Sequence, residues 1–220
     1  MCAQEGDWSA AEQAYIRLAR RVPEPARQAQ IYRRLGELYD TALPNVDRAE
    51  LAYREVLKRD PDDSESVARL VQVLARRGEP DKAVELQTEF LGRAPTPATK
   101  RERTLALAFV LEQVAGDRKK AEAILDKARK EAPLDPLALR ALVELHQRAG
   151  EQRAATMLLD RAATDARRAL ATGRFDPALF EMLGSVAELR GAHDAASLAT
   201  ATLLSLSGED MDIASTGQAA

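Results

Sequence analysis

Residues 29–61 read AQIYRRLGELYDTALPNVDRAELAYREVLKRDP, and the spacing within them decides the fold. Tyr32, Leu35 and Tyr39 fall three and four residues apart, which puts them on one face of a helix that must be buried. Gly36 on the same face lets a neighbour come close. Ala49, Tyr53 and Val56 repeat the spacing on a second helix, and the small Ala49 allows the pair to cross tightly, because side-chain size sets the interaxial distance. Pro61 ends that helix, since proline cannot extend the backbone ladder. One such pair cannot bury its own apolar faces, so it needs copies stacked on either side.

The order Tyr32, Leu35, Gly36, Tyr39, Ala49, Tyr53 and Pro61 resembles one tetratricopeptide repeat, a unit of about 34 residues. The resemblance implies an all-α fold: a right-handed superhelical solenoid of stacked helix-turn-helix hairpins. Composition agrees, because alanine, leucine and arginine dominate while aromatics make up 4%, which starves a β-sheet of the residues it prefers.

Residues 1–23 match only the second half of a repeat, through Gly6, Ala11, Tyr15, Leu18 and Pro23. That leaves an orphan helix with one face uncovered. Five repeats are expected over 29–206, at about 29–63, 64–97, 101–135, 136–169 and 177–206. The second is carried by Val67, Leu70, Leu74, Gly78, Ala83 and Phe90, with Asp62 and Glu65 as a capping box at its entry. Leu107, Leu111, Ala121 and Leu125 carry the third, and Leu139, Leu142, Ala155 and Leu159 the fourth. Asp135–Pro136 and Asp176–Pro177 suit a helix cap and first turn. The alanines at 11, 49, 83, 121 and 155 alternate between steps of 38 and 34 residues, which reads as duplication of a pair of hairpins. Residues 207–220 are polar, small and aperiodic, the pattern of a disordered tail.

Chemistry is sparse. The 11 glycines are scattered at turns and form no phosphate loop, so no nucleotide or other cofactor is expected. His146 and His193 have no partner at ligand spacing, so no metal site is expected, and His146 stands where Tyr39 sits in its own repeat, which makes it a packed ring. No acid, base or nucleophile constellation appears, so the chain reads as a non-enzyme. Lys119, Lys120, Lys127, Arg129 and Lys130 interleave with Asp117, Glu122, Asp126 and Glu131, the pattern of a solvated helix face. The net charge of −3 gives no general attraction for nucleic acid, and no apolar run reaches the ~18 residues of a membrane helix. Cys2 as the sole cysteine excludes an intrachain disulfide, and a cytoplasmic setting is the default. Trp8, the sole tryptophan, is expected to pack within its own repeat.

In the family that the chain resembles, first helices line a concave groove that takes an extended peptide or a helix of another protein. The resemblance therefore places Arg33, Glu37 and Asp40, then Gln72, then Leu105, Phe109 and Glu112, then Arg140, Glu144 and Gln147, then Glu181 and Glu188 on a partner-binding face. Acids dominate and Leu105, Phe109 and Leu137 make its middle apolar, so the expected ligand segment has basic residues flanking apolar ones. Members that clamp a chaperone's C-terminal carboxylate use lysine, arginine and asparagine on that face. Here the only asparagine is Asn45, in a turn, which argues against that use. The alternative reading is a C-terminal fragment of a larger solenoid, whose exposed N-terminal helix mediates self-association through residues 6–23 or structural assembly.

Overall fold

Helix starts in this chain are written by proline and by short acceptor side chains. Pro25, Pro80, Pro97, Pro136 and Pro177 stand in the first turns of five helices, where a missing N–H costs nothing. Asp7, Asn45, Asp63, Thr96, Asp135 and Asp176 each accept a hydrogen bond from a first-turn amide. The computed structural model describes residues 7–203. The expectations for 1–6, for 204–206 and for the tail at 207–220 lie outside the described residues.

The described residues hold α1 (Trp8–Arg21), α2 (Pro25–Asp40), α3 (Val46–Arg59), α4 (Ser64–Arg76), α5 (Pro80–Gly92), α6 (Pro97–Gln113), α7 (Arg118–Glu131), α8 (Pro136–Arg148), α9 (Gln152–Ala171) and α10 (Pro177–Leu189). An eleventh, α11, covers 193–203 as far as described. No strand occurs among these residues, so the all-α expectation holds. The chain divides into two compact units between Ala121 and Glu122, within α7.

In the first unit each helix from α1 to α5 packs on the next, ending with α5 on α6. The core runs through Leu35, Tyr39, Ala49, Tyr53, Leu70 and Leu74. In the second unit α8 packs on α9, α9 on α10, and α8 also on α10, around Leu139, Val143, Leu159, Leu179 and Met182. Gly78 and Gly150 close α4 and α8 in the left-handed region, at φ +70° and +75°. There the Glu79 and Glu151 amides donate back to the Leu74 and His146 carbonyls.

One helix start differs from the expectation. Asp63, not Asp62, caps α4, receiving the Ser66 amide at 3.3 Å and the Ser66 hydroxyl at 3.1 Å. The reason is tertiary: Arg33 from α2 pairs with the enclosed Asp63 carboxylate, while Asp62 turns outward to Arg103 on α6.

Candidate functional site

Within each unit, the candidate binding residues lie on the first helix of a pair, beside its buried apolar positions. In the first unit, Arg33, Glu37 and Asp40 follow one another along α2, and each already has an internal partner. Arg33 Nε donates to Asp63 Oδ2 at 3.0 Å, and that hydrogen bond raises the guanidinium pKa above its ordinary value. Glu37 accepts from Arg34 at 2.8 Å one turn away. Asp40 accepts from the Tyr53 hydroxyl at 2.8 Å and pairs with Arg76, so its carboxylate ties α2 to both α3 and α4. Arg33 and Asp40 therefore hold helices together.

Gln72 on α4 is exposed. On α6, Leu105 and Glu112 are half-buried, and Phe109 is 60% exposed. In the second unit, Arg140 on α8 donates to Glu188 on α10 at 2.7 Å, Glu144 lies 3.6 Å from Arg148, and Gln147 and Glu181 are exposed. Leu137 adds an exposed apolar side chain at the start of α8.

The remaining singled-out residues are structural. His146 is buried, with Nδ1 2.7 Å from Glu151 Oε2 and Nε2 3.7 Å from Glu122 Oε1. Its ring is packed, as its place in the repeat implies. The basic stretch on α7 is cross-paired with its interleaved acids: Lys120 to Asp117 at 2.8 Å, Arg129 and Lys130 to Asp126 at 3.0 and 2.5 Å. That is a solvated helix face. Trp8 differs from the expectation. It is 50% exposed, because α1 packs chiefly on α2 and the described residues leave its far side uncovered.

Spacing passes over two side chains that the tertiary structure brings together, Gln87 on α5 and Arg103 on α6, which are 3% and 6% exposed. A signal for the first exists. Gln87 follows Ala83 by four residues, where Tyr53 follows Ala49, Leu125 follows Ala121 and Leu159 follows Ala155. Among the described residues no group of histidine, cysteine and acidic side chains could hold a metal, and no helix is long and apolar enough to cross a membrane.

Residues 42–97 match the family described as Tetratricopeptide repeat. Over 119 residues the chain is 33% identical to cellulose synthase operon protein C of Pseudomonas fluorescens (strain SBW25), which covers 52% of this chain and 9% of that protein. The chain thus spans less than a tenth of that relative's length. Among solved structures, MamA shares 16% identity at a TM-score of 0.48, covering 76% of this chain and 93% of its own. PilW, titled a widely conserved type IV pilus biogenesis factor, shares 19% identity at a TM-score of 0.44, covering 90% of this chain and 86% of its own. Proteins built of tetratricopeptide repeats generally bind other proteins and are generally non-catalytic. The match over 42–97, together with the all-helical fold and the Gly36-to-Tyr53 helix crossing, shows that the chain carries tetratricopeptide repeats.

Proposed function

We propose that the chain is a non-catalytic interaction scaffold whose first-helix faces bind a peptide or helix of another protein, with basic residues flanking apolar ones. In this reading the repeats are those at 29–63, 64–97, 101–135, 136–169 and 177–206, and the lone helix in 1–23 precedes them. The observation that carries it is Phe109, a large ring left 60% exposed on α6 beside half-buried Leu105. Aromatic anchors of this kind dominate interface energetics once a partner desolvates them. Glu37, Glu112, Glu144, Glu181 and Glu188 supply acidic surroundings in each unit, which steer a basic partner.

The test is an affinity capture from source cells with the wild type beside a Glu37→Arg, Phe109→Arg, Glu144→Arg triple variant, both shown folded by circular dichroism. A protein retained by the wild type in low salt, lost by the triple variant and released as ionic strength rises is the expected result. Equal retention by both proteins sinks the reading.

A second reading, self-association through α1, is favoured by one comparison. Ala49, Tyr53 and Val56 on α3 are fully enclosed, whereas their counterparts Ala11 and Tyr15 are half-buried and Leu18 is 47% exposed.

A further inference from the structure

The second helices α3, α7 and α9 each bury an alanine, then a large residue four positions later. On α5 the large one is missing. Ala83 is fully enclosed and Phe90 nearly so, but Gln87 between them puts a primary amide where Tyr53 puts a ring on α3. That amide makes no hydrogen bond with any described residue. The amide atoms are not sealed from solvent, so the side chain opens onto the neighbouring space instead of packing into the core, and a glutamine where a leucine would pack calls for an explanation.

Beside Gln87 lies a cavity of about 300 Å³ walled by α4, α5 and α6 within the first unit. Arg103 forms part of its wall and is largely engaged: Nη1 donates to the Phe90 carbonyl at 2.6 Å, Nη2 to Asp62 at 3.0 Å, and the guanidinium stacks 3.6 Å from the Phe90 ring centre, while Nε is buried with no partner among the described residues. At the mouth stands Glu102, exposed and with no ion pair among the described residues. Two carboxylates and one guanidinium leave the lining with a surplus negative charge. Val67 and Ala68 on α4 supply an apolar side.

We propose that this cavity is a subsite for one arginine side chain of a bound protein segment. The proposal rests on the partner-binding reading above and names what the partner must present. The aliphatic stem lies along Val67 and Ala68, and the guanidinium donates to Gln87 Oε1 at the floor and to the Glu102 carboxylate at the mouth. A planar fork of N–H donors serves two acceptors at different depths, which a lysine ammonium does less well. The volume suits one long side chain and sits at the small end of ligand pockets.

The experiment is an NMR titration of the full chain with N-acetyl-arginine amide, following the Gln87 side-chain NH₂ resonances, with blocked lysine and blocked glutamate alongside. A saturable shift at Gln87 with blocked arginine is expected, at least tenfold weaker with blocked lysine and absent with blocked glutamate. In Gln87→Leu, where the shift is followed instead at the Phe90 and Glu102 backbone amides, blocked arginine no longer binds and the melting temperature rises, since leucine restores the large apolar residue found at Leu125 and Leu159. Glu102→Gln, a surface change that keeps the fold, weakens binding at least threefold and keeps the test valid should the core variant fail to fold. No shift at Gln87 up to the solubility limit, equal response to all three compounds, or unchanged binding in both variants overturns the proposal. The groove reading fails separately, through the Glu37, Phe109 and Glu144 variant, none of whose positions lines this cavity.

Discussion

Gly36 and Gly184 each follow a leucine on a first helix, and the two glycines look alike in sequence. They differ in what stands opposite. A Cβ at Gly36 would lie 2.6 Å from the Tyr53 ring, while one at Gly184 would meet the Ala199 methyl at 3.4 Å. Tyr53 has no room to retreat, being fully enclosed and held by its hydroxyl to Asp40 at 2.8 Å. Gly36→Ala is therefore expected to lower stability by about 1–3 kcal/mol, the usual cost of overpacking, in spite of alanine's better helix propensity. Gly184→Ala should be neutral or stabilising by up to ~1 kcal/mol. Urea denaturation of both variants checks this, and a Gly36→Ala protein as stable as wild type would show that the ring yields. The glycine was legible from the Leu35-Gly36 spacing; that Tyr53 enforces it was not, because contact across helices depends on the crossing geometry.

At the scale of elements, α1 and α3 carry the same register of residues but not the same cover. Position for position, Ala11, Tyr15 and Leu18 match Ala49, Tyr53 and Val56, and only the α3 set is enclosed. The ends of α1 differ in charge, with Asp7 capping its start and Arg20 and Arg21 in its last turn, so two copies laid antiparallel would bring opposite charges together. Self-association through this face is expected to raise the mean mass in sedimentation as protein concentration rises from the micromolar to the millimolar range. Trp8→Ala with Leu18→Glu should hold the protein at monomer mass. A wild type that stays monomeric throughout removes the second reading. Helix starts at Pro25, Pro136 and Pro177 could be read directly from the chain. The choice of Asp63 over Asp62 as the α4 cap could not, since it is settled by Arg33 and Arg103 from other helices.

At the scale of the molecule, buried phenols link folding to alkaline pH. Burial, and then the hydrogen bond from its hydroxyl to Glu12 at 2.6 Å, pushes Tyr39 up to about 12 from an ordinary 10.0. Burial and the hydrogen bond to Asp40 push Tyr53 up as well. A group that holds its proton more tightly when folded contributes stability that is complete below its unfolded pKa and is lost as pH rises through the folded one. Stability is therefore expected to be level up to about pH 10 and to fall from there towards pH 12. Tyr39→Phe should flatten part of that decline in denaturation curves recorded across the range; an unchanged slope would show that the phenol is not the linked group.

The sequence alone determined the helical class, the approximate periodicity of the repeats and the small-residue crossings, because these depend on spacing along one helix and on what proline and glycine permit locally. Only the tertiary structure decided which polar residues are consumed internally, as Arg33 by Asp63 and Asp40 by Tyr53 and Arg76, and that Gln87 opens beside a cavity instead of filling it. Those outcomes rest on side chains 13 to 41 residues apart meeting across packed helices, and no periodicity along a single helix carries that information.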